Sequence, residues 1–362
     1  MIDLTKIYDI ISIMKSKRKN IPGSISIADI ARECGVSVMT VSRALRQNPQ
    51  VKPETSDAIM NMAAKLGYMR SSRLGRPSAR RNGKISKVQL IIGSTGQTPV
   101  AFHARLLTSI EQQLAESGCE CIIRSANGDY QVFMRLLEAA RHTDAQTTLI
   151  FGNFPPEQLH ALLSALPGLI LLDNPGCNIS DGTYSSFAFD NTAAAHLAVE
   201  HLLACGRQKI LLIGGFADHF FTREIETGFI EAMNSHQIQF SRNQIINTDF
   251  TASGAASALE NVIAEKLFEF DAIFTNDEMA VGVYRVLMER GLKIPDDVAV
   301  CGCDNLPISE QLYPPLTTIK LNYDDLASQA LQYIRAPGKT FVPLRTRLSP
   351  SLLIRSSTIA SA

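Results

Sequence analysis

The chain has 362 residues, 45% hydrophobic and 19% charged, a globular composition too long for one ordinary domain. Its formal charge is zero, yet residues 1–86 hold 16 Lys and Arg against 6 Asp and Glu, while residues 87–362 hold 19 against 29. A basic head on an acidic body suits attraction to a polyanion at one end only, and no apolar run approaches the roughly eighteen residues of a membrane helix.

Residues 1–23 form an N-terminal extension. Ile7, Ile10, Ile11 and Met14 make one apolar helix face there, followed by a basic run over residues 15–19. It lacks the order of a secretory leader, and the seven scattered cysteines read as reduced thiols, so the expected location is the cytoplasm. The two Cys-x-Cys pairs, Cys119/Cys121 and Cys301/Cys303, fit same-face strand packing better than metal ligation. No metal or cofactor is expected.

Residues 24–69 read as a small all-α head. Ser26 caps a first helix with Ile27, Ile30 and Ala31 on one face, and Gly35 supplies a tight turn. Ser37 caps a second helix in which Val41, Ala44 and Leu45 face inward. Val38, Met39, Thr40, Ser42, Arg43 and Arg46 are left to face outward. A third helix starts at Pro53 and covers the pair with Ile59, Met62, Ala63 and Leu66. Two short helices, a glycine turn and a supporting helix are the helix-turn-helix layout. Residues 70–86 are basic, rich in Ser and Gly and broken by Pro77, a linker composition.

From residue 87 onward, short apolar runs alternate with helical stretches. Candidate strands cover residues 88–92, 120–124, 148–151, 169–172, 209–213, 272–275 and 298–301, and candidate helices cover 104–116, 192–205, 222–234 and 278–290. Such alternation means parallel sheets covered on both faces. So many units exceed one sheet, which predicts two doubly wound α/β subdomains with a cleft between them.

The wording of the head is more specific than its pattern. Asp29-Ile30-Ala31, Gly35-Val36-Ser37, Thr40-Val41-Ser42-Arg43, Val51, Thr55 and Leu66-Gly67-Tyr68 resemble, in this order, the headpiece of the LacI/GalR (lactose-repressor) family. The resemblance continues to about residue 356, through Phe189-Asp190-Asn191, Thr275-Asn276-Asp277, Gly302-Cys303-Asp304-Asn305 and Pro314-Pro315-Leu316-Thr317-Thr318. It implies a sequence-specific repressor that binds a near-palindromic double-stranded DNA operator as a homodimer. Its affinity would be set by a small sugar-like effector.

By that resemblance Val38, Met39 and Arg43 read bases. Arg43 suits guanine, and the two apolar side chains suit thymine methyls or shape. Ser37, Thr40, Ser42 and Tyr68 carry hydroxyls fit for phosphates, although a core role serves Tyr68 equally well. The stretch after Tyr68 departs from the family, because Pro77 stands where a wedging leucine belongs. Leu74 as a substitute wedge, or arginines such as Arg73 in a narrow minor groove, are the two alternatives.

The body, residues 87–356, resembles periplasmic sugar-binding proteins. An N-subdomain over 87–189 and 321–343 joins a C-subdomain over 190–320 and 344–356. The crossings should lie near Asp190, near Leu321 and within residues 340–345. The family pattern nominates Phe102, Asp173, Phe250, Asn276, Asp304 and Tyr323 as effector contacts at strand ends. For Asn276 and Asp304 the alternative is a cap, since Asp and Asn after a strand often only cap helices or turns. The family's arginine, three residues before Gly228-Phe229, is Ile225 here, which weakens the case for a sugar. No catalytic motif stands out, so an enzyme is not expected. The alternative is a winged-helix head of the GntR type on the same body.

Overall fold

The structure is a computed structural model, described here for residues 27–44, 51–65, 85–93, 101–126, 129–166, 168–176, 184–239, 241–335 and 343–359. The chain divides into two units, Met1–Arg76 and Pro77–Ala362.

The first unit contains α1 (Ile27–Cys34), α2 (Val38–Ala44) and α3 (Pro53–Lys65). Gly35, at φ +64°, ends α1, and the Val36 amide donates back to the Ala31 carbonyl at 3.1 Å. This is how a left-handed residue closes a helix C-terminus. Ile30, Ala31, Val41, Ala44 and Ile59 close a small core, with Val51 and Met62 packed against it. Three short helices sharing five buried apolar residues match the helix-turn-helix spacing read from the sequence.

The second unit holds two six-stranded sheets. The first contains β1 (Lys87–Gly93), β2 (Glu120–Ala126), β3 (Thr147–Gly152), β4 (Ile170–Leu172), β5 (Ser185–Phe189) and β11 (Arg345–Leu348), in the order β11-β5-β4-β3-β1-β2, all parallel. The second contains β6 (Ile210–Gly214), β7 (Ile245–Asn247), β8 (Ala272–Phe274), β9 (Ala299–Asp304), β10 (Thr317–Lys320) and β12 (Ser351–Leu353), in the order β12-β10-β9-β8-β6-β7, with only β12 antiparallel. β1, β3, β6, β8 and β9 are buried almost throughout, as central parallel strands must be when helices cover both faces.

The helices of this unit are α4 (Ala101–Glu116), α5 (Tyr130–Arg141), α6 (Pro156–Ala165), α7 (Asn191–Ala204), α8 (Phe220–Ser235), α9 (Ala252–Ala264), α10 (Asp277–Glu289), a single turn α11 (Ile308–Gln311) and α12 (Tyr323–Arg335).

The chain passes between the sheets three times: after β5 at Asp190, after β10 at Leu321, and at Ser349–Pro350 between β11 and β12. The first two crossings fall where the sequence put them. The third is later than residues 340–345, because Arg345–Leu348 pairs with β5 and so belongs to the first lobe. Arg-Thr-Arg-Leu on a sheet edge has no apolar run, so no pattern marks it as a strand.

Candidate functional site

On the first unit, the Ser37 hydroxyl accepts the Thr40 amide at 3.0 Å, and the two hydroxyls lie 2.8 Å apart. Ser37 therefore starts α2 in the way that satisfies an orphan N–H, and both hydroxyls are already engaged with each other. Val41 and Ala44 are fully buried, whereas Val38 is 44% and Met39 63% exposed. Arg43 is exposed on the same helix, Thr40 is half-buried, and Ser42 lies between them in the chain. Two exposed apolar side chains thus stand beside an exposed arginine on a helix whose other face is core. Tyr68, Arg73 and Leu74 lie outside the described residues.

On the second unit, the carboxyl ends of the two sheets face each other. Tyr323, at the start of α12 in the first lobe, donates from its hydroxyl to the Asp304 carbonyl oxygen in the second at 3.1 Å. Its ring meets Phe102 at 5.4 Å and Phe189 at 5.7 Å, both edge to face. Phe102 thus joins an aromatic wall, and the Tyr323 hydroxyl is committed to bridging the lobes.

Asp173 follows β4 at φ +47°, and Asp304 ends β9 at φ +112° with Asn305 next at φ +49°. With Phe250 at φ +64°, three of the six described non-glycine residues with positive φ are nominated site residues. Strain gathered at strand ends in this way is characteristic of functional loops.

Burial raises the pKa of Asp304 well above the usual carboxylate range, and Asp277, Asp173 and Glu278 add to that effect. Asp173 is raised first by burial and then by Glu224. Asp173 in the first lobe therefore acts on Asp304 in the second. Asp304 Oδ1 is buried with no hydrogen-bond partner.

Asp277 was not nominated from the sequence, yet it holds the loop that aims Asp304. Fully buried, it accepts from the Thr318 hydroxyl at 2.6 Å and from the Leu306 amide at 2.7 Å. Burial pushes its pKa up to about 7. Asn276 uses Oδ1 to cap α10, accepting the Met279 amide at 2.9 Å. Its amide N–H groups are left for other partners.

Phe250 lies on Gly215, where a Cβ would strike its ring, and contacts Phe216, Phe221 and His219. His219 accepts the Phe221 amide through Nδ1 at 3.2 Å and caps α8. Burial lowers both His103 and His219 to about 4, and each is close enough for His103 to add to the effect on His219. Both imidazoles are therefore neutral near pH 7. His103 was legible only as the neighbour of Phe102, and His219 carried no signal at all.

A helix-turn-helix unit and a two-lobed periplasmic-binding-type unit in one chain define a class: DNA-binding regulators with an attached small-molecule fold. Residues 26–71 match the family model of bacterial regulatory proteins, lacI family, and residues 199–358 match that of the periplasmic binding protein-like domain. The chain thus joins a head of the lacI-family type to a periplasmic binding protein-like body.

The HTH-type transcriptional repressor PurR of Glaesserella parasuis serovar 5 (strain SH0165) is 25% identical over 343 residues, spanning 92% of this chain and 98% of that protein. Two solved structures share the fold. The transcriptional regulator CelR–cellobiose complex is 22% identical with TM-score 0.67, covering 92% of this chain and 99% of that one. The lac repressor dimer bound to operator and the anti-inducer ONPF is 23% identical with TM-score 0.63, covering 93% and 100%.

Proposed function

We propose that the chain is a cytoplasmic repressor that binds a near-palindromic operator as a homodimer and releases or tightens on it when a small sugar-like effector occupies the cleft. Val38, Met39 and Arg43 read bases, while Ser37, Thr40, Ser42, Tyr68, Arg73 and Leu74 engage the backbone or the minor groove. Phe102, Asp173, Phe250, Asn276, Asp304 and Tyr323 surround the effector, Tyr323 through its ring. The domain limits are those read from the sequence, with residues 344–348 moved to the first lobe.

The observation that carries effector control is the buried Asp304 Oδ1 without a partner at the junction of the lobes. A buried acceptor left open in a folded protein calls for an external donor. An effector shifts the DNA-binding equilibrium only by its differential affinity for the two lobe arrangements. The cellobiose complex, similar in fold, supports a carbohydrate in this place, and the operator-bound dimer supports the two-fold mode.

The test is fluorescence anisotropy on a duplex selected by the full chain from a randomised library, with a small-molecule extract as effector source. The extract changes the signal of the parent, and Asp304→Ala stays on the duplex without responding. A variant that responds as the parent does, with only a lower melting temperature, would reduce Asp304 to a structural cap.

A further inference from the structure

Charge in the cleft is distributed one-sidedly. Asp173 and Asp304 enter from opposite lobes, both buried, and neither makes an ion pair among the described residues. The nearest candidate cation is Arg347 on β11, and its charge is already matched. Its Nη2 meets Glu224 Oε1 at 2.7 Å, and its Nη1 donates to the Phe189 carbonyl at 3.5 Å. Glu224 Oε2 accepts from Asn191 Nδ2 at 2.8 Å, so that carboxylate is engaged on both oxygens. Position 225 holds a buried isoleucine, and Arg223 beside it is exposed. The two imidazoles, His103 and His219, are half-buried, and desolvation lowers both to about 4, which keeps them neutral near pH 7. Among the described residues, the one cation that acts on Asp173 is Arg347, already paired with Glu224, and none acts on Asp304.

The orphaned polar atoms have the same bias. Among the described residues, the buried side-chain atoms without partners are Asn191 Oδ1, Asn247 Oδ1, Asp304 Oδ1, Thr222 Oγ1 and Arg207 Nε. Arg207 lies before β6, at the amino end of its sheet; Asn247 and Asp304 end β7 and β9, Asn191 starts α7 just after β5, and Thr222 lies in the first turn of α8 after β6. The two asparagine oxygens can only accept, Asp304 Oδ1 accepts unless it carries the carboxyl proton, and the fourth atom is a hydroxyl. A ligand that satisfies them is rich in donors. A phosphate or carboxylate would bring no donors to these acceptors and would oppose ionisation of Asp173 and Asp304 in a poorly screened site.

We propose that the effector carries a protonated amine beside hydroxyl groups, with the ammonium held between the carboxylates of Asp304 and Asp173. This rests on the reading of the cleft as the effector site. An ammonium offers three donors and no acceptor, which complements two buried carboxylates, while the hydroxyl groups of the ligand can donate to open oxygens elsewhere in the second lobe. Each carboxyl that is protonated in the empty cleft gives its proton to solvent as the ammonium takes its place. A bare metal ion is a poorer fit, since no group of three or more His, Cys, Asp or Glu side chains converges among the described residues.

The experiment is calorimetric titration of the full chain near neutral pH with matched sugars: D-glucosamine against D-glucose, D-galactosamine against D-galactose, D-mannosamine against D-mannose, and the corresponding 6-phosphates. At least one aminated sugar binds about ten-fold or more tightly than its neutral partner, and the phosphates bind weakest. Asp304→Asn and Asp173→Asn keep the side-chain shape, and each removes most of that preference. Neutral or phosphorylated sugars binding as tightly as their aminated partners would overturn the amine while leaving the effector site standing. A preference that survives both substitutions, or no binding by any aminated sugar, also overturns it. The effector reading itself is lost only if cleft substitutions leave effector-driven DNA release intact.

Discussion

At the scale of single residues, the acidic groups under the cleft set a pH signature. Asp277 is raised by burial from its ordinary 3.8 to about 7 in the folded chain, and Asp173 and Asp304 move in the same direction. A carboxyl whose folded pKa exceeds its unfolded one keeps its proton longer when folded. Its contribution is therefore most favourable below the unfolded pKa and is lost as pH rises towards the folded one. Melting temperature should fall as pH is raised from about 4 to about 7, and Asp277→Asn should flatten that fall. The same substitution costs about 1–3 kcal/mol, since an amide cannot accept from both Thr318 and the Leu306 N–H. Calorimetry across this window decides it, and an equally steep fall in the variant would place the titration elsewhere.

Much of the candidate site was legible at this scale because motifs mark strand ends. Asp173, Asp304 and Phe250 stood out by the resemblance, and the structure gives each a positive φ. Asp277 was hidden because an aspartate in the first turn of a helix usually stays in solvent. Here a glycine two positions inside β9, Gly302, lets its carboxylate approach the strand. Arg347 was hidden because its strand has no apolar pattern, so nothing indicated that it would reach Glu224 from the other lobe.

At the scale of elements, two close contacts carry the second lobe and the head. α9 and α10 touch through Gly282, where a Cβ would run into the Ala252 carbonyl oxygen and lie 3.1 Å from the Ala256 nitrogen. Glycine inside a helix costs roughly 1 kcal/mol against alanine, so its use here reflects the approach of the two backbones. Gly282→Val should destabilise by about 1–3 kcal/mol in urea unfolding through overpacking. An unchanged midpoint would mean that the helices separate without cost.

In the head, Ser37→Ala removes the side-chain acceptor of the Thr40 amide and should lower stability by about 0.5–2 kcal/mol. Operator affinity would fall with it, as the helix start frays. Long, strongly patterned elements were read correctly, including the three head helices and the strands that became β1, β3 and β6. The sequence patterns missed β5, β7, β10, β11 and β12. Those strands run three to five residues, and Ser, Thr or Arg dilute the apolar signal in most of them.

At the scale of the whole molecule, the excess of ten positive charges within residues 1–86 makes DNA binding steeply salt-dependent. Replacing one phosphate-contacting cation should reduce the log–log salt slope by about one, whereas changes in the cleft should leave the slope alone. Sedimentation with operator should give a dimer, since one three-helix head is too small to specify a site by itself.

The central claim is that the helix capped by Ser37 reads bases in the service of regulation. The most direct test is duplex enrichment from a randomised library by the full chain and by Arg43→Ala, followed by affinities at fixed salt. The parent should enrich a near-palindromic motif. Arg43→Ala should lose about 1–3 kcal/mol and its preference at one G·C pair in each half-site. If the parent enriches no motif, or the variant enriches the same one with equal affinity, α2 is not the recognition helix.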